Sequence, residues 1–146
     1  MTTPMRTLWT CTESGRAFAN RNQSHACGRH DLEAHFAGGP QEIRALFDAL
    51  LARVQACGPV RVLPEKTRIA FQVRMSFAVA IPRRGWVDGH LVLARRVESP
   101  VFPRIESFSP RNHVHAFRLR SPADLTAEFD ALLREAYAVG EQKHLA

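Results

Sequence analysis

The chain has 146 residues, 45% hydrophobic and 23% charged, which suits one domain with its own core and excludes a wholly disordered chain. Its net charge of +6, from 18 arginines and two lysines against 14 acids, favours anionic partners, although an arginine-rich genome would give the same bias. No apolar run reaches bilayer length and the N-terminus lacks a signal peptide's hydrophobic region, so no membrane partner and a cytoplasmic location are expected.

Cys11, Cys27 and Cys57 form an odd, small set, which argues against a disulfide framework and for reduced thiols or a metal site. The positive charge is spread along the chain, with pairs only at Arg83–Arg84 and Arg95–Arg96.

Residues 1–30 read as a lead-in. Residues 11–30 are polar and poor in aliphatic side chains, so they need an external clip or a surface to lie on. The domain proper is expected over 31–146. Asp31 caps a short helix carrying Leu32 and Phe36, and Gly38–Gly39 ends it. Over 41–56, Ile43, Leu46, Phe47, Leu50 and Val54 recur at helical spacing, with Glu42, Arg44, Asp48 and Arg53 on the other side. Gly58–Pro59 stops that helix.

A short strand over 60–63 and a turn at 64–66 follow. The clearest register lies in 67–84. Ile69, Phe71 and Val73 alternate with Arg68, Ala70, Gln72 and Arg74, and then Met75, Phe77, Val79 and Ile81 alternate with Ser76, Ala78 and Ala80. That pattern predicts one face on a core and one face small or polar. Pro82 closes the run.

Further strands are expected over 86–94, 105–108 and 113–120. Ser121, Pro122 and Asp124 make a capping box for a last helix, with Leu125, Phe129, Leu132, Leu133 and Ala136 as its apolar stripe and Gly140 at its end. The order predicts an α+β fold: a curved, mostly antiparallel sheet of four to five strands with two main helices packed on one face.

Three blocks in order, WTCTESGRAFANRNQSHACGRHDLEAHFAG, KTRIAFQVRMSFA and HVHAFRLRSP, resemble a bacterial family known only as domain of unknown function 5655. The resemblance covers nearly the whole chain; it implies an α+β fold and no activity. Relatives with this lead-in look like a zinc knuckle, W-x-C-x-x-C-x-R-x-F followed by Q-x-H-x-C. Cys11, His25 and Cys27 match three of its ligands, while Ser14 stands where the second cysteine would be. A serine hydroxyl is a poor zinc donor at neutral pH. The resemblance therefore implies either a zinc site completed by His30, Glu13 or water, or a degenerate knuckle without metal.

His113 and His115 share a strand face with Phe117 and Leu119. Such a pair suits metal or phosphate chemistry, and equally suits the end of a core row with its ring nitrogens bonded internally. His90 is the histidine that could join them in space. Arg68, Gln72 and Arg74 form a donor row suited to carboxylate or phosphate, or to salt bridges with Asp88 and Glu106. Cys57 in ACGP reads as a buried structural thiol. Neither a G-x-S-x-G elbow nor a phosphate-binding loop occurs, so no catalytic residue is assigned.

The reading that follows is a non-catalytic binding module for an anionic partner, either nucleic acid or a phosphate or carboxylate ligand. Arg68, Gln72, Arg74, His90, His113, His115 and Arg118 are its candidate contacts. The alternatives are an enzyme of unknown reaction using the histidines and arginines in a sheet groove, and a homodimeric interaction module.

Overall fold

A computed structural model of the chain describes residues 9–10, 17–18 and 31–143. Strands β1 (Trp9–Thr10) and β2 (Ala17–Phe18) pair antiparallel, with Trp9 opposite Phe18. Cys11, Ser14, His25, Cys27 and His30 lie outside the described residues.

Asp31 stands one residue before the N-cap of the next turn, Leu32, and its Oδ1 accepts the Glu33 N–H at 3.0 Å. The element there is a single 3-10 turn, Glu33–His35. Helix α1 (Gln41–Ala56) buries the five apolar side chains at helical spacing, Ile43, Leu46, Phe47, Leu50 and Val54. Gly58 then takes a φ of 144°, a conformation open to glycine and strained for other residues.

Six strands follow: β3 (Arg61–Pro64), β4 (Ile69–Gln72), β5 (Ser76–Pro82), β6 (Val87–Leu93), β7 (Arg104–Ser109) and β8 (Asn112–Leu119). They form one sheet in the order β3-β4-β5-β6-β8-β7, with every neighbouring pair antiparallel. The count exceeds the four to five expected, because short β3 joins the same sheet as an edge beside β4. The sheet is open, with β3 and β7 at its edges.

The face assignment of β5 needs correction. Ile69 pairs with Ala80 and Phe71 with Ala78, but Gln72 pairs with Ser76, so Phe77 is the extra residue of a β-bulge. The bulge lets Phe77 and Ala78 both serve the core and then inverts the alternation. Ala78 and Ala80 are core residues, whereas Val79 and Ile81 stand opposite His90 and Asp88 on the other face.

The last helix also begins later than its capping box suggests. Ser121 and Asp124 make the box, but it encloses a 3-10 turn, Pro122–Asp124. Helix α2 (Ala127–Gly140) starts from a second cap, Thr126, whose Oγ1 accepts the Phe129 N–H at 3.1 Å. Gly140 is its last residue, and glycine is needed there for a steric reason: a Cβ would lie 2.6 Å from Cδ1 of Phe77.

Both helices lie on one face, over β5 and β6. Phe47, Phe71, Phe77 and Phe129 are fully buried between the layers. The Tyr137 hydroxyl donates to the Pro59 carbonyl at 2.7 Å, and Arg53 pairs with Asp130, so α2 is tied to the end of α1. Between β6 and β7 the chain crosses β8 on the helix side, with Val97, Val101 and Phe102 packed against the core.

Candidate functional site

Register assigns the opposite face of the sheet. On β6, Val87, Gly89, Leu91 and Leu93 are buried, while Asp88, His90 and Val92 alternate with them and stay partly open. Pairing carries the open face onward: Val79 is opposite His90, Ala116 opposite His90 on the other side, and Val114 opposite Val92. Arg104 and Glu106 of β7 pair with Ala116 and Val114 and so share it. Among the described residues, neither helix packs on this face.

A cavity of about 340 Å³ lies there. Val79, Val92, Val114 and Ala116 make its floor, and Arg68, His90, Arg104, Glu106 and Phe108 stand around it. Phe108 is 66% exposed, the large apolar side chain most open to solvent among the described residues. His90 and Arg104 also border a second groove of about 790 Å³ that includes Arg83, Arg118, Arg120 and Asp88.

The His90 ring makes no hydrogen bond to the other described residues. Burial lowers its pKa below the ordinary 6.5, and Arg68 and Arg104 lower it further, against the weaker pull of Glu106 and Asp88. It is therefore a neutral imidazole at pH 7, with one nitrogen able to donate and one to accept.

Arg68 donates its Nε–H to Glu65 at 3.1 Å, and Arg104 forms an ion pair with Glu106, Nε to Oε1 3.5 Å. Each guanidinium has further N–H donors that can face the cavity. In the second groove Asp88 is the hub. It takes Arg118 Nε at 2.8 Å, Trp86 Nε1 at 3.1 Å and Arg83 Nε at 3.3 Å, and Arg118 stacks 4.3 Å above the Trp86 ring. Burial would raise the Asp88 pKa, but the bonds from Arg118, Trp86 and Arg83 outweigh it and hold the carboxyl below 3.8.

Of the residues singled out from the sequence, Arg68 and His90 meet in the cavity, and Arg118 lies in the adjoining groove. Gln72 pairs with Ser76 and is fully buried. Arg74 leaves the row because it sits in the turn before β5, where its Nε donates to Gln142 Oε1 at 2.9 Å beyond the end of α2.

His113 and His115 share a face as expected, but that face is the helix side, and they do not join Arg68 or His90. His115 is fully buried; its Nε2 accepts the Val97 N–H and its Nδ1 donates to the His113 carbonyl, both at 2.9 Å. His113 accepts from Ser107 Oγ at 2.8 Å and donates to the Pro110 carbonyl at 3.0 Å, which pins the β7–β8 turn. All four ring nitrogens are thus engaged within the fold.

Arg104 and Phe108 are the site residues that sequence reading missed. Their signal was present in RIESF, where alternation places Arg104, Glu106 and Phe108 on one side of a strand. Among the described residues no group of histidine, cysteine and acidic side chains is arranged to hold a metal ion. None of the described helices is long and apolar enough to cross a membrane.

The model of a family described as Domain of unknown function (DUF5655) matches residues 32–140. No curated protein and no solved structure matches the chain. On the family match, the chain belongs to the DUF5655 family.

Proposed function

We propose that this DUF5655 member is a non-catalytic binding module that takes an anionic partner on the open face of its sheet. The observation that carries the reading is the convergence of Arg68, His90 and Arg104 around one cavity with an apolar floor. Two guanidiniums supply charge and forked donors, and the neutral imidazole supplies one more donor or acceptor. An apolar pocket with a few convergent polar groups is the usual form of a ligand site.

The arrangement favours binding over catalysis. A catalytic base is normally oriented by a third group and aimed at a nucleophile or substrate proton. Among the described residues nothing is hydrogen-bonded to the His90 ring to orient it.

The test is a titration of the full chain with inorganic phosphate, octanoate and a short single-stranded oligonucleotide at low salt, followed by amide NMR shifts. Binding that perturbs β6 and β7, weakens with salt and is lost in Arg104→Ala is expected. No shift with any of the three at low salt overturns the reading.

A further inference from the structure

We infer that the partner is a small amphipathic monoanion, an apolar body of metabolite size bearing one carboxylate head, seated with its body on the valine floor and its head between Arg68 and Arg104. The inference rests on the open face being an anion-binding site, and adds the ligand class.

Size sets the first limit. About 340 Å³ lies at the low end of the range for small-molecule pockets, which run from roughly 300 to 1,000 Å³, and it is too small for a duplex or a folded domain.

The lining sets the second. Val79, Val92 and Val114 offer no side-chain hydrogen bond, and outside Arg68, His90, Arg104 and Glu106 the lining has one polar side chain, Ser76, so most hydroxyls of a sugar body would lose their water without replacement. An aliphatic or aromatic body loses nothing there, and Phe108 at the rim can close over it.

Charge sets the third. Arg68 and Arg104 each already contact a carboxylate, Glu65 and Glu106, so much of their charge is balanced inside the protein. Glu106 itself lines the cavity. A diphosphate or triphosphate would bring more negative charge than this rim can match, and Glu106 would repel it. A single carboxylate can take a free edge of a guanidinium and the neutral His90 ring without excess charge.

The test uses octanoate, 1-octanol, inorganic phosphate and adenosine monophosphate, each titrated into the full chain and followed by amide NMR. Octanoate is expected to saturate with shifts at Val92, Phe108 and Val114. Arg104→Ala and Phe108→Ser, both at exposed side chains, should each weaken it by roughly tenfold, the scale of one charge-assisted hydrogen bond or one buried aromatic contact. Phosphate or the nucleotide binding at Arg68 and Arg104 while octanoate does not would overturn the ligand class and leave the anion site standing. Octanol binding as tightly as octanoate would overturn the role of the head group. Silence from all four would overturn both the class and the site.

Discussion

The Nε2 of His115 accepts the backbone N–H of Val97 at 2.9 Å, so a fully buried imidazole holds the chain that crosses over its own strand. The ring also packs edge-on against Phe102, with centroids 4.8 Å apart. A histidine that reads as a site residue is thus a staple between β8 and the β6–β7 crossover.

Replacing it should be costly. His115→Leu keeps an apolar side chain of moderate size but leaves the Val97 N–H and the His113 carbonyl without their partner. The expected loss is about 1–3 kcal/mol for each buried group left unsatisfied, read as a lower midpoint in urea. A midpoint unchanged from the parent would show that water or a neighbour replaces the ring.

Stability should fall on mild acidification. Burial pushes His115 below 6.5, opposed by its bond to the His113 carbonyl and aided by Arg96. Because the folded value lies below the unfolded one, the unfolded chain takes up the proton first. The contribution of His115 is therefore complete above 6.5 and lost as pH falls through the depressed folded value. His90 acts in the same sense, through burial and then Arg68 and Arg104. The stabilisation from Asp88 is lost in a separate window below 3.8. Melting temperature measured from about pH 8 to about pH 5 should drop for the parent and drop less for His115→Leu. A flat parent profile would contradict this account.

Gly89 is required by its neighbours. A Cβ there would collide with the Phe117 ring and the Val79 carbonyl, one mobile and one fixed. Gly89→Ala should cost about 1–3 kcal/mol as overpacking of the core. Because Gly89 neighbours His90 on β6, the variant should also shift the His90 ring resonances; a fully stable Gly89→Ala would mean that β5 and β6 can part locally.

Gly58 and Tyr137 are coupled. A Cβ on Gly58 would sit 2.5 Å from the Tyr137 hydroxyl, and its φ of 144° disfavours any side chain. Tyr137→Phe should cost about 1 kcal/mol through the lost bond to the Pro59 carbonyl. Gly58→Ala should cost more, and only its steric part should ease in the Tyr137→Phe background, leaving about 1–3 kcal/mol of backbone strain. Equal costs in both backgrounds would mean that the hydroxyl is not the obstacle.

Periodicity carried the helices and the layer arrangement, since Ile43 to Val54 and Phe129 to Ala136 have one way to be buried. It carried β4 for the same reason, since Ile69 and Phe71 are core residues. It failed at β5, where a one-residue bulge at Phe77 turned Val79 and Ile81 outward; alternation cannot register an extra residue. It also failed at Arg74, which continues the polar row of β4 on paper but lies in a turn whose direction is fixed by α2. The pairing of His113 with His115 was legible from spacing. Their row was legible too, since Phe117 and Leu119 share it and are core residues; that the β6–β7 crossover would take up the His115 ring was not, because it depends on where that crossover lands.

The placement of β8 between β6 and β7 also separates a local pairing from a distant one. Among the described residues β7 pairs with β8 alone, a strand that follows it in the chain. The tight turn at 110–111 lets those two form a hairpin locally, before any distant contact exists. The seam between β8 and β6 runs along seven residue pairs, from Val87–Leu119 to Leu93–His113, and its formation closes the 94–103 loop. The β6–β8 seam is where local structure becomes a whole sheet, and both the cavity floor and the His115 staple come into being when it closes.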